Sequence, residues 1–181
     1  PTWGAGSSMV LLSTQTASAS ASISFTSLIN STYSKYIIEI YNLVTASDTV
    51  NLLMTASINN GSTYLAGTSY TYHEATLDAL SAGYASLISS GASSLNINGN
   101  TNLGTATGEN YSGMITLLNP SNATVYKNVI INAGLFESTG TSQVTIVGGG
   151  GIRTTSAVNA IKFAASSGNI ASGTFKLYGV L

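Results

Sequence analysis

The chain has no cysteine, two prolines, one tryptophan and one histidine in 181 residues, with five basic and six acidic side chains and a formal net charge of −1. The missing cysteine excludes a disulfide scaffold and thiol chemistry, so stability has to come from packing or association. Five scattered Lys and Arg residues cannot form the basic stripe that binds nucleic acid, nor a footprint for anionic membranes. Charged residues make up 6% of the chain, against a typical ~25%. Near-neutrality removes the repulsion that keeps many monomers apart, so the composition is permissive of assembly. Long apolar runs are missing as well. Uncharged stretches such as 79–108 are interrupted by Ser, Gly and Asn, so no membrane insertion is expected and the chain reads as soluble. The segment Pro1 to Gly6 lacks the basic region and apolar core of a secretory signal.

Hydroxyl side chains stand where charge is missing: 28 Ser and 23 Thr make the polar component. Helical periodicity is nearly absent, while short apolar runs separated by Gly, Asn and Ser recur about every ten residues, the spacing of a sandwich or barrel. Strands are expected at 9–15, 19–25, 36–43, 50–58, 70–73, 84–88, 114–118, 125–132, 143–147, 160–164 and 174–180, all rich in residues that suit a pleated surface. Asn59, Asn60, Gly61 and Ser62 predict a tight hairpin turn, because Asn-Gly accepts positive φ. Breaks are expected at 96–104, at the four glycines Gly148 to Gly151, and at Asn119-Pro120, where proline lacks the ladder donor. The Ala/Ser alternation from Ala17 to Ser22 suits an edge strand or an extended arm. The chain is long enough for one buried core. The expected architecture is therefore all-β, a jelly-roll-like antiparallel β-sandwich in a single domain spanning 9–181, after an arm at 1–8.

The final segment is the most informative. From Thr174 onward Phe175, Leu177, Gly179 and Leu181 alternate with Thr174, Lys176, Tyr178 and Val180, and no polar tail follows. Such a strand must be paired inside a sheet or against a neighbour, which makes Phe175, Leu177, Tyr178 and Leu181 candidate assembly contacts and 174–180 a central or inter-subunit strand. Trp3, in the Gly- and Ser-rich arm, is either incidental or an anchor that plugs into a neighbour, since tryptophan is enriched at interfaces.

No constellation of residues points to catalysis. His73 lies beside Glu74, with Asp78 four residues on, but neighbours along a strand point to opposite faces, so a structural role for His73 is the stronger reading. The carboxylates offer the pairs Glu39 with Asp48, Glu74 with Asp78 and Glu109 with Glu137, and nothing in their spacing selects one for glycoside hydrolysis. The run from Asn96 to Asn102 has calcium-loop spacing without carboxylate charge and reads as a neutral turn. Gly148 to Gly151 lacks the Lys-Ser/Thr of a phosphate cradle and reads as a loop. No enzyme, metal or cofactor is expected. Among ten tyrosines, Tyr64, Tyr70, Tyr72 and Tyr84 fall in or beside the loops after the Asn-Gly turn. They are candidate glycan contacts, because a tyrosine ring stacks on a sugar at low entropic cost, although packing within the sheets is the commoner fate.

The end of the chain, Gly168 to Gly179 after the strand Ala160 to Phe163, resembles the ends of many tailed-bacteriophage virion proteins. The segments Ile23 to Phe25, Tyr33 to Leu43 and Ala56 to Tyr64 are similar to the first hairpins of the same proteins. The resemblance covers roughly two thirds of the chain. It implies a small β-sandwich on the virion exterior, made in the bacterial host cytoplasm. Such proteins serve as tail-fibre or receptor-binding appendages or as capsid decorations, commonly trimeric. Implied partners are further copies of the chain, other virion proteins and a host surface glycan. Where the family often carries an acidic residue before the hairpin glycine, this chain has Asn59 and Asn60, which bears on any family cation or sugar contact there. The alternative is a free carbohydrate-binding module, which would be monomeric and would present an exposed Tyr or Trp platform.

Overall fold

Period-two alternation builds the strands. In the computed structural model, which describes residues 8–79, 84–140 and 142–181, Tyr36, Ile38 and Ile40 point inward while Ile37, Glu39 and Tyr41 point outward along a single strand. Twelve strands are present among the described residues, and no helix. They are β1 (Met9–Ser20), β2 (Ile23–Thr26), β3 (Lys35–Thr45), β4 (Leu52–Ser57), β5 (Tyr70–Asp78), β6 (Tyr84–Ala92), β7 (Leu95–Asn96), β8 (Asn110–Leu118), β9 (Lys127–Phe136), β10 (Gln143–Ile152), β11 (Ala160–Ala165) and β12 (Ile170–Val180). They form an antiparallel sandwich of an eight-stranded sheet, ordered β1-β12-β3-β8-β9-β10-β5-β6, and a four-stranded sheet, ordered β2-β11-β4-β7. The chain crosses repeatedly between sheets. Among sequence neighbours only β5–β6, β8–β9 and β9–β10 pair with each other.

The core fills the space between the sheets with Phe25, Ile38, Ile40, Leu52, Met54, Ile115, Ile131, Ile146, Phe163, Phe175 and Leu177. Phe163 and Phe175 meet across it with ring centroids 5.5 Å apart. Three of the largest fully buried side chains are tyrosines, and each hydroxyl pins a loop, as a buried phenol requires. The Tyr36 hydroxyl donates to the Asn30 carbonyl at 2.9 Å and accepts from the Asn30 N–H at 2.8 Å. The Tyr70 hydroxyl accepts from the Ala56 N–H at 2.8 Å and donates to the Leu65 carbonyl at 3.2 Å. The Tyr111 hydroxyl donates to the Ile97 carbonyl at 3.0 Å.

The terminal strand is central. β12 pairs with β1 on one side and β3 on the other, so both rows of its backbone groups are used within the chain. Of the Ala/Ser run, Ala17 to Ser20 lie on β1, an edge of the larger sheet, and Ala21 and Ser22 lead out of it.

Three expectations need correction. Gly148 to Gly151 is not a loop but part of β10, paired on both sides. What selects glycine there is space: a Cβ on Gly148 would lie 2.6 Å from the His73 carbonyl oxygen, and one on Gly150 would lie 2.5 Å from Leu95 Cδ2. The Asn-Gly turn forms, with Asn60 and Gly61 both at positive φ and Ser62 N–H bonded to the Asn59 carbonyl. It does not close a strand hairpin, because β4 takes β11 and β7 as partners and the returning chain keeps one bond, Leu65 N–H to the Ala56 carbonyl at 2.9 Å. The strand expected at 19–25 is split. Ala19 and Ser20 close β1 and β2 opens at Ile23, so the chain changes sheets between them.

Candidate functional site

The smaller sheet covers one face of the larger, and the opposite, outer face carries most of the exposed large apolar side chains. Register places them in rows. Leu11, Tyr178, Ile37, Thr116, Ile130, Gly149, His73 and Ile88 follow one another across all eight strands. The next row runs Thr14, Lys176, Glu39, Met114, Asn132, Val147, Ala75 and Ser86. A third row, over β9, β10, β5 and β6, holds Gly134, Thr145, Leu77 and Tyr84. Leu77, Tyr84 and Ile88 are 51%, 64% and 66% exposed, far from the burial usual for such residues.

Two hollows interrupt this face where glycines supply no side chain. One, about 440 Å³, has Glu39, Tyr41, Met114, Asn132, Gly134 and Val147 around it. The other, about 350 Å³, is lined by Thr71, His73, Asn128, Gly149 and Gly151. Beside the first hollow, the Tyr41 hydroxyl donates to Glu39 Oε2 at 2.6 Å, and the Lys176 ammonium lies 5.4 Å from the Tyr41 ring centroid. The Glu39 hydrogen bond pushes the Tyr41 phenol up to about 12, and partial desolvation, followed by the same carboxylate, raises Tyr178. Glu39, Tyr41, Tyr178 and Lys176 thus gather in one polar corner of this face.

The expected site residues separate. Phe175 and Leu177 are fully buried between the sheets, so the chain's own core takes them and they are not assembly contacts. Tyr178 points outward from β12 and is half-buried, and Leu181 is exposed. Trp3 lies outside the described residues. Of the candidate glycan contacts, Tyr70 is fully buried and its ring is closed to any ligand. Tyr72 packs against the core. Tyr64 carries the Lys162 ammonium 4.2 Å from its ring centroid. Tyr84 stands exposed on β6, so the four tyrosines do not make one platform.

The carboxylates also part company. His73 is exposed and Glu74 buried, on opposite faces of β5 as alternation requires. Glu74 Oε2 accepts the Gly99 N–H at 2.7 Å, while Oε1 has no partner. Burial pushes the Glu74 carboxyl up to about 8, with the Gly99 bond opposing. The run from Asn96 to Asn102 starts in β7 and continues as a neutral turn. Within it Asn98 is fully buried, accepts the Leu52 N–H at 2.7 Å and donates to Asn51 Oδ1 at 3.1 Å. Glu109 is buried, accepts the Ala106 N–H at 2.8 Å and flanks Gly104 together with Asp48, a neighbour that spacing did not suggest. Glu137 accepts from Thr101 and Thr139, and Asp78 accepts from Ser142. No group of three or more His, Asp or Glu side chains among the described residues could hold a metal ion.

Sequence reasoning missed Lys127. It is buried, and its ammonium donates to the carbonyls of Val125 at 2.6 Å and Thr154 at 3.1 Å, while burial lowers its pKa. Its signal was phase, since Lys127 alternates in step with Val129 and Ile131 on β9. Compared with family models, curated proteins and solved structures, the chain matches none.

Proposed function

We propose that this chain is a non-enzymatic structural subunit on the exterior of a tailed-bacteriophage particle, acting as a tail-fibre or receptor-binding appendage or as a capsid decoration, and working as a homo-oligomer. The observation that carries the assembling part of this reading is the outer face of the eight-stranded sheet: broad, nearly uncharged and carrying the exposed side chains of Leu77, Tyr84, Ile88, Ile130 and Val147, with the smaller sheet already spent on the other side. Contiguous apolar patches beyond a few hundred Å² on soluble proteins mark interaction surfaces. The word phage rests on the resemblance of 160–179 and the early segments to virion proteins, and the same reading takes the sandwich to be of jelly-roll type. Mass spectrometry of purified particles, followed by electron cryo-microscopy to place the subunit, tests it. Recovery of the chain with the particles is expected, and its confinement to the unassembled fraction of infected cells overturns the reading.

The second reading, a free carbohydrate-binding module, draws on the exposed ring of Tyr84. It requires glycan binding by a monomer, with loss of that binding in Tyr84→Ala.

A further inference from the structure

The outer face is not uniform. Toward β12 and β3 it carries Lys35, Lys176 and Glu39, whereas the outward positions of β9, β10, β5 and β6 hold no Asp, Glu, Lys or Arg and two titratable side chains, His73 and Tyr84. Four strands at ~4.8 Å spacing and about nine residues at ~3.4 Å give this half roughly 600 Å². Buried on two copies, that is about 1,200 Å², the lower end of the range for specific, stable interfaces.

We infer that this uncharged half packs face to face on the same half of a second copy, about a two-fold axis running along the strands between β10 and β5. The inference rests on the assembling-subunit reading and names its partner. Such an axis sets β9 against the second copy's β6 and β10 against its β5, and keeps each row opposite itself in reverse. In the third row Gly134 then faces Tyr84 and Thr145 faces Leu77. In the second row Val147 faces Ala75 and Asn132 faces Ser86, and in the first row Gly149 faces His73. Large side chains fall opposite small ones, so the exposed Tyr84 enters the hollow at Gly134 and His73 enters the one at Gly149. Ile130 against Ile88 is the one large-on-large pair, at the margin of the patch. A strongly charged partner finds no complement on this half, and a flat apolar one leaves both hollows empty. A second copy fills them, leaves Lys35 and Lys176 in solvent at the rim, and meets Glu39 only at the wall of the first hollow, where the Tyr41 hydroxyl already donates to it, which avoids burying unpaired charge.

The chain lacks cysteine, so single-cysteine variants give a clean readout. With a bismaleimide of about 10 Å reach, Val147→Cys should join to its own copy, since the two positions lie ~11 Å apart in this pairing. Lys176→Cys should not join, because its copies lie about 40 Å apart. Light scattering should show a dimer, and Leu77→Glu should weaken it by about 100-fold or more while Lys176→Glu changes it by less than about threefold. Tyr84→Arg is a second, independent disruptor in case Leu77→Glu misfolds. A trimer, cross-linking through Lys176→Cys, or an oligomer indifferent to both Leu77→Glu and Tyr84→Arg overturns the two-fold pairing and leaves the assembling-subunit reading standing. A monomer at ~100 μM overturns the pairing too, and recovery from particles then decides the broader reading separately.

Discussion

The two faces of the eight-stranded sheet are built from the same strands and both carry large apolar side chains, yet they have opposite fates. On the inner face the large side chains of β3, β8, β9, β10 and β12 are buried, the three core tyrosines have hydrogen-bonded hydroxyls, and Glu74 is held with one oxygen unpaired. On the outer face Leu77, Tyr84, Ile88 and Val147 stand in solvent, and Glu39 lies beside Tyr41 and near Lys176. Hydrophobicity alone does not separate them. Coverage by the smaller sheet does, and it turns the same alternation into a core on one side and an open surface on the other.

That comparison predicts large effects inside and small ones outside. The largest should come from Leu177→Asp, which puts a charge at a fully buried position of the central strand β12. A cost above ~4 kcal/mol is expected, so the variant should fail to fold. A soluble variant with an unchanged melting transition would contradict the central placement of the strand.

Next in size is the effect of pH through Glu74. Its carboxyl titrates near 8 in the folded chain against a reference of 4.5. Between those values the folded state keeps a proton that the unfolded state has released, so stability is full below about 4.5 and falls until pH passes about 8. The loss is of the order of 4 to 5 kcal/mol. Denaturant titrations from pH 4 to 9 should show this decline, and Glu74→Gln should flatten it and be the more stable protein at pH 9. An unaltered slope in Glu74→Gln would assign the effect elsewhere.

Gly148→Ala comes third, because its Cβ would lie 2.6 Å from the His73 carbonyl oxygen and 2.7 Å from Glu74 Cα. Backbone must move, at a cost of about 2–3 kcal/mol read by equilibrium unfolding. A change below about 0.5 kcal/mol would mean that β10 and β5 are not so closely apposed. The smallest effect belongs to the outer face. At concentrations where the chain is a single copy, Leu77→Glu should alter stability by less than about 0.5 kcal/mol, since the side chain is half in solvent already. A loss comparable to that of Leu177→Asp would erase the distinction between the faces.

Much of the fold was legible because strand periodicity is local. Phe175 and Leu177 alternate with Lys176 and Tyr178, and His73 with Glu74, and in each case the structure buries one set and turns the other outward. The glycines of β10 were misread because four in a row look like a flexible linker, whereas neighbouring backbone and the Leu95 side chain occupy the space their side chains would need. Tyr70 was misread as a glycan contact for a related reason. Its position after a turn resembles a surface loop, and only the carbonyl of Leu65 and the amide of Ala56, brought close by the fold, make it a pin of the core.

The sequence by itself determined an all-β chain with a neutral surface, no thiol chemistry and a terminal strand that had to be paired, because composition and period-two alternation act over a few residues. The tertiary structure decided which apolar face was covered, which carboxylate was buried and which tyrosines reached solvent. Those outcomes depend on strand order and on how far the four-stranded sheet extends over the eight-stranded one, both set by contacts between residues distant in the chain.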